Sequence, residues 1–160
     1  MADAAVKSRL EQQVCFAIYS AMHAVNKAYM PLLEKIALTY PQYLAMLVLW
    51  ESDDVTVKQL GERLFLDSGT LTPLLKRLEG MGLVDRARDP RDERKVRLSL
   101  TDKGKELRRE ALSIPGQIAA AMGRPADDLK AVRKELRRIR NSLLQGRAQK
   151  FLESSDAGFD

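Results

Sequence analysis

Mainly helical with one small β-hairpin is the fold class the sequence predicts, and three observations predict it. Apolar residues recur at helical spacing over most of the chain. The period drops to two only in LVDRAR (83–88) and KVRLSL (95–100). Threonines that begin helix-capping patterns stand at Thr39, Thr56 and Thr101, each just before a helical pattern.

The elements follow in order. A first helix is predicted from about Lys7 to Ala28, with Leu10, Val14, Ile18, Ala21, Met22 and Val25 on one side. Pro31 is read as opening a second short segment, PLLEKIAL. Thr39 with Gln42 forms a capping box for a helix through Trp50, and YLAMLVLW is apolar almost all round, so it belongs at the buried centre. ESDD ends it, and Thr56 with Gln59 caps TVKQLGERLFL. After a short loop at Asp67, LDSGTLTPLLKRLE (66–79) runs on to Met81, and Gly82 ends that helix as a C′ glycine. DPRDER is read as the tip of the hairpin. Thr101 and Asp102 start the next helix, Ile114-Pro115-Gly116 breaks it, and Gly123 with Pro125 turns the chain into a last helix from Ala126.

That last helix carries Leu129, Val132, Leu136, Ile139 and Leu143 at spacings of 3, 4, 3, 4. Such a narrow seam needs a partner helix. With the first helix it forms the expected dimer interface. Residues 124–150 hold nine basic against three acidic side chains, read as a solvated face around that seam.

The composition excludes several functions. A single histidine, His23, and a single cysteine, Cys15, leave no disulfide within the chain, no metal site of the usual donor sets and no Ser-His-Asp triad. No glycine-rich phosphate loop is present, so an enzyme is not expected and no cofactor is called for. The longest apolar run, Tyr43 to Trp50, is eight residues against the ~18 needed to cross a bilayer. MADAAVKSRL lacks a signal-peptide core, so a cytoplasmic location is expected. The net charge of +5 and pI near 9.4 suit an anionic partner.

Two short helices in succession followed by a two-stranded ribbon is the layout of a winged helix-turn-helix. The expected domain is single, 1–160, with a DNA-binding lobe at 39–101, dimerisation helices at 7–38 and 102–150, and a disordered tail at 151–160. LDSGTLTPLLKRLE then falls in the recognition helix, whose leading end meets base edges and phosphates. Small residues let the backbone come close, hydroxyls donate, and helix-end N–H groups attract anions. Ser68, Thr70, Thr72 and Pro73 suit that task; Lys76, Arg77 and Arg86 can reach phosphate or guanine, and Arg91 and Arg94 at the hairpin tip can enter a minor groove. The plainer reading of the same start is an ordinary N-cap at Asp67 or Ser68 beside neutral surface hydroxyls.

The sequence resembles the MarR family of dimeric winged-helix repressors, and within it the organic-hydroperoxide sensors called OhrR. The residues that carry this are LEQQVCFAIYSA (10–21), TYPQYLAMLVLWE (39–51), TVKQLGERLFLDSGTLTPLLKRLEGMGLV (56–84) and DPRDERKVRLSLTDKG (89–104). The match spans Leu10 to Leu144, and LDSGTLTPLLKRLE together with VCFAIY is the specific part. The resemblance implies an intertwined homodimer on a palindromic double-stranded operator, with Asp92 pairing with Arg94 to hold the wing and Arg94 entering the minor groove.

Cys15 read from the residues alone is either a small apolar side chain or a nucleophile with Tyr19 one turn away. The resemblance implies the second: an organic hydroperoxide as inducer, Cys15 as the reactive thiol, and Tyr19 and Tyr29 donating to it from the other subunit. The chain departs from some members in having no second, resolving cysteine. Its sulfenic acid must then meet a small external thiol, cyclise onto a backbone nitrogen or over-oxidise. The alternatives to this reading are release by a non-covalent phenolic ligand with Cys15 structural, a thiol peroxidase, and a winged-helix module for protein contacts.

Overall fold

The computed structural model describes residues 9–156, of which 147–156 are described by their backbone alone. The chain divides into two units, residues up to Ile118 and residues from Ala119.

The first unit holds α1 (Val14–Glu34), α2 (Tyr40–Glu51), β1 (Val55–Thr56), α3 (Val57–Leu64), α4 (Ser68–Gly80), β2 (Val84–Asp89), β3 (Asp92–Leu100), α5 (Asp102–Ala111) and α6 (Ile114–Ala121), the last reaching into the second unit. The three strands form one antiparallel sheet in the order β1-β3-β2. Both capping boxes form: the Thr39 N–H donates to Gln42 Oε1 at 2.9 Å, and the Thr56 N–H to Gln59 Oε1 at 2.8 Å. The third cap also forms, with the Gly104 N–H donating to Thr101 Oγ1 at 3.0 Å.

Helix α2 is the centre of the core, as its all-round apolar sequence predicts. Tyr43, Met46 and Leu49 are fully buried there against Leu60 of α3, Leu71, Leu75 and Leu78 of α4, and Leu83, Val84 and Leu98 of the hairpin base. Trp50, at the end of α2, donates its indole N–H to the Gly104 carbonyl at 2.8 Å and so ties α2 to the start of α5. Helix α4 ends as expected. Gly82 takes φ +70°, the Leu83 N–H closes onto the Leu78 carbonyl at 3.1 Å, and the Gly82 N–H closes onto Glu79 at 2.9 Å.

Three expectations for this unit need correction, and one strand was not foreseen. The first helix starts at Val14 after a 3-10 turn at Leu10–Gln12; the predicted start at Lys7 lies outside the described residues. Pro31 sits inside that helix instead of opening a new segment. Losing one helix hydrogen bond costs about 3 kcal/mol. Continuing the helix carries Leu33 into the core and brings buried Ile36 and Leu38 after it, at ~2 kcal/mol apiece, which outweighs the loss. The hairpin tip is only Pro90-Arg91, because β2 and β3 pair from Val84↔Leu100 out to Asp89↔Asp92, so most of DPRDER is strand. Strand β1 was not foreseen, since two residues carry no legible period; it pairs Val55↔Leu98 and Thr56↔Arg97.

The second unit is dominated by α7 (Ala126–Asp156). Val132, Leu136, Ile139 and Leu143 are exposed along it. The helix continues through 151–156, where a tail was expected, and no glycine or proline interrupts residues 147–156; 157–160 lie outside the described residues. Among the described residues no helix is long and apolar enough to cross a membrane.

Candidate nucleic-acid interface and cysteine site

Helix α4 sorts its residues by face. Leu71, Leu74, Leu75 and Leu78 are buried at i, i+3, i+4, i+7, which leaves Ser68, Thr70, Thr72, Pro73, Lys76 and Arg77 on the exposed side. Asp67 caps the helix, accepting the Thr70 N–H on Oδ1 at 2.8 Å. The Thr72 hydroxyl donates to the Ser68 carbonyl at 2.8 Å, so its proton is held by the helix and its oxygen faces outward as an acceptor. Arg86 is not free: its Nε pairs with Glu79 at 2.8 Å, which fastens β2 to the last turn of α4.

The Asp67 carboxyl is held below the ordinary carboxylate range, chiefly by the Thr70 backbone hydrogen bond. A depressed folded value stabilises the protein above pH ~4 and is lost as pH falls through it. Asp67→Asn keeps a cap acceptor but does not titrate. Its melting temperature is therefore expected to lie below the wild type's at neutral pH, and the gap to close on acidification below pH ~4, measured by thermal unfolding across pH.

At the wing, Asp92 and Arg94 do meet. The Arg94 N–H donates to Asp92 Oδ1 at 3.2 Å, and its guanidinium lies 3.4 Å from the same oxygen. The Arg94 side chain is 95% exposed and free to reach outward. A second arginine of the ribbon was missed by sequence reasoning. Arg97 donates to Asp54 Oδ1 and to the Asp54 carbonyl, both at 2.7 Å, and to Asp89 Oδ2 at 3.2 Å. Strand alternation set Arg97 outward with Lys95, but no local signal named its partners, one of which lies 43 residues away.

Cys15 is exposed in the first turn of α1. Tyr19, one turn on, packs its ring edge-on against His23 with centroids 4.4 Å apart and stacks on Phe16 at 6.3 Å. Tyr29 lies fourteen residues from Cys15, about 21 Å along a helix, so the chain does not bring these two together by itself. Its ring packs on Tyr40 and Tyr43, at 4.6 and 5.8 Å. Burial, then those two neighbours, push the Tyr29 phenol up to about 12, so it remains a hydrogen-bond donor at any physiological pH. Leu10, Val14, Ile18 and Met22 form an exposed apolar strip around Cys15.

With this geometry the chain can be placed among known proteins. The family model described as transcriptional regulator SarA/Rot matches residues 27–111. The organic hydroperoxide resistance transcriptional regulator of Bacillus subtilis (strain 168) is 47% identical over 137 residues, covering 86% of this chain and 93% of that protein. The chain belongs to the MarR family of winged-helix transcriptional regulators, in the organic-hydroperoxide-regulator subgroup. The HTH-type transcriptional regulator TtmR of Methylorubrum extorquens (strain PA1) is 51% identical to this MarR protein over 134 residues, covering 84% of the chain and 69% of TtmR. The structure of reduced AbfR bound to DNA matches with a TM-score of 0.73 and 36% identity, over 86% of this chain and 96% of that one. AbfR has also been solved overoxidised on DNA and in a disulfide-formed state. The MarR assignment makes the chain a transcriptional regulator, and its winged-helix lobe is the part described above.

Proposed function

We propose that this MarR regulator is a homodimeric repressor of a palindromic operator, released when an organic hydroperoxide oxidises Cys15. The observation that carries the reading is the setting of the thiol. Cys15 lies within about 40° of Tyr19 and 20° of Met22 around the α1 axis, on a helix face that leaves Val14, Ile18 and Met22 exposed. An exposed apolar strip of this kind is what a second copy would cover, and α7 offers another in Val132, Leu136, Ile139 and Leu143. The thiol would then sit at the subunit seam, beside apolar walls that favour an organic peroxide.

In the reduced dimer, Ser68, Thr70, Thr72 and Pro73 at the leading end of α4 read the major groove, Lys76 and Arg77 bind phosphate, and Arg94 enters the minor groove from a wing braced by Asp92, with Arg86 holding the ribbon to α4. The Cys15 thiolate takes the distal peroxide oxygen, giving a sulfenic acid and the alcohol. A small thiol then condenses with it to a mixed disulfide and water. The added bulk at the seam rotates the two lobes; half-sites lie ~34 Å apart, so a small rotation ends simultaneous fit. That AbfR was solved on DNA in an overoxidised state favours the mixed disulfide over further oxidation as the releasing species.

The test is a gel shift on the protein's own promoter with cumene hydroperoxide, with and without free cysteine, followed by intact mass. Release that needs both reagents, a mass gain of one thiol per chain and recovery with dithiothreitol are expected. Release without any change in mass, indifferent to dithiothreitol, would favour a non-covalent ligand. One observation supports that second reading: a cavity of about 160 Å³ lined by Tyr43, Leu47, Trp50, Glu51, Arg108, Ala111, Leu112 and Pro115 offers apolar walls with one cation and one carboxylate, a setting for a neutral phenol.

A further inference from the structure

We infer that Arg97 is a positioning residue for DNA reading: by clamping Asp54 and Asp89 together it fixes the pitch of the wing relative to the helix-turn-helix, so that the tip reaches the minor groove while α4 sits in the major groove. The inference rests on the wing contact proposed above.

The need for a clamp follows from the ribbon itself. Leu98, Leu100 and Val84 anchor its base in the core, but Asp85 to Arg88 and Glu93 to Lys95 are exposed, so no apolar packing holds the outer half. A two-stranded ribbon without such packing is marginal and twists freely. Strand β1 supports it only as far as Thr56↔Arg97. From that point outward, side-chain bonds take over.

Those bonds form one continuous brace. Asp53 accepts the Leu100 N–H at 2.8 Å, which fixes the loop after α2. The next residue, Asp54, adopts φ +62° and presents both its carboxylate and its carbonyl to Arg97. The third arm of the guanidinium crosses to Asp89, the buried last residue of β2. The other Asp89 oxygen takes the Arg91 N–H at 2.8 Å, within the two-residue tip. One planar fork therefore joins the loop after α2 to the end of β2, beside the tip, a task lysine cannot perform with a single charged point. Both carboxyls are held below their ordinary range, Asp54 by the Arg97 hydrogen bond first and Asp89 by the Arg91 N–H first and then Arg97, as expected of formed contacts. With its donors so engaged Arg97 is not available to phosphate, whereas Arg94 is.

The experiment compares Arg97→Gln, Arg97→Lys, Asp54→Asn and Arg94→Ala with the wild type on promoter DNA, by anisotropy titration, hydroxyl-radical footprinting of the minor groove and dimethyl sulfate protection of major-groove guanines. Arg97→Gln is expected to lose about tenfold in affinity and the outer minor-groove footprint, while keeping major-groove protection. Arg97→Lys should fall between, and Asp54→Asn should repeat the footprint change, since Asn tolerates the same backbone. Wild-type affinity and footprint in Arg97→Gln, with Arg94→Ala losing both, would overturn the inference. So would loss of both footprints together in Arg97→Gln, which marks a general folding role. An unchanged footprint in Arg94→Ala would instead remove the wing reading on which the inference stands.

Discussion

A Cys15→Ser protein is expected to keep its operator through a combined dose of peroxide and free cysteine that releases the wild type. A serine hydroxyl is not ionised at neutral pH and does not attack the peroxide O–O bond, so neither sulfenic acid nor mixed disulfide can form. Coupling between a switch site and a binding surface typically amounts to 1–3 kcal/mol, so wild-type affinity should fall up to about 150-fold on oxidation while the variant stays flat. Reduced wild type and Cys15→Ser should bind equally, because the exchange leaves α4 and the wing untouched. Tyr29→Phe provides a second reading of the same site. Its phenol stays protonated, with its pKa near 12, as a donor to the thiol across the proposed seam must be. Its removal should slow oxidation of Cys15 without blocking it, as measured by mass against time. Peroxide-driven release of Cys15→Ser at the wild-type dose would sink the redox mechanism outright.

What the sequence showed and what it hid divide along the range of the interaction. Thr39-Gln42, Thr56-Gln59, Thr101 and Gly82 each act within one turn of their own position, and each forms the cap that its spacing predicts. The all-round apolar α2 and the one-sided α4 followed from composition and period. Pro31 misled because its local penalty is real but smaller than the burial of residues beyond it, a comparison no local window makes. The brace of Arg97, Asp54 and Asp89 and the packing of Tyr29 on Tyr40 and Tyr43 depend on segments brought together by the fold, and nothing in their neighbourhoods in the chain marks them. The same limit applies to Cys15. Its helix was legible, but its exposure was not, and the role of its tyrosines rests on family resemblance and on a second chain.

Gly104→Ala is expected to unfold the lobe far more easily than a conservative exchange in a first helical turn should. Gly104 is the third residue of α5, a place where alanine ordinarily adds up to ~1 kcal/mol of stability over glycine. Here a Cβ would overlap the Leu83 carbonyl oxygen and stand 3.1 Å from its carbon and 3.2 Å from a Leu100 methyl. The first two are backbone at the hairpin base, which cannot swing aside as a side-chain tip would. Relief requires α5 to move away from Leu83, and the Gly104 carbonyl would then leave the Trp50 indole N–H in the core without its acceptor. Overpacking of 1–3 kcal/mol and a broken buried hydrogen bond of 1–3 kcal/mol together give about 4 kcal/mol, or roughly 10 °C in Tm for a chain of this size. Gly80→Ala is the control, because a Cβ there meets nothing within 4 Å. It should leave the Tm unchanged or slightly raised. Thermal unfolding by circular dichroism decides between them: equal melting temperatures would mean that α5 is free to shift against the hairpin, and the join between the DNA-reading lobe and the helix that follows it would not be the close backbone contact on which this prediction depends.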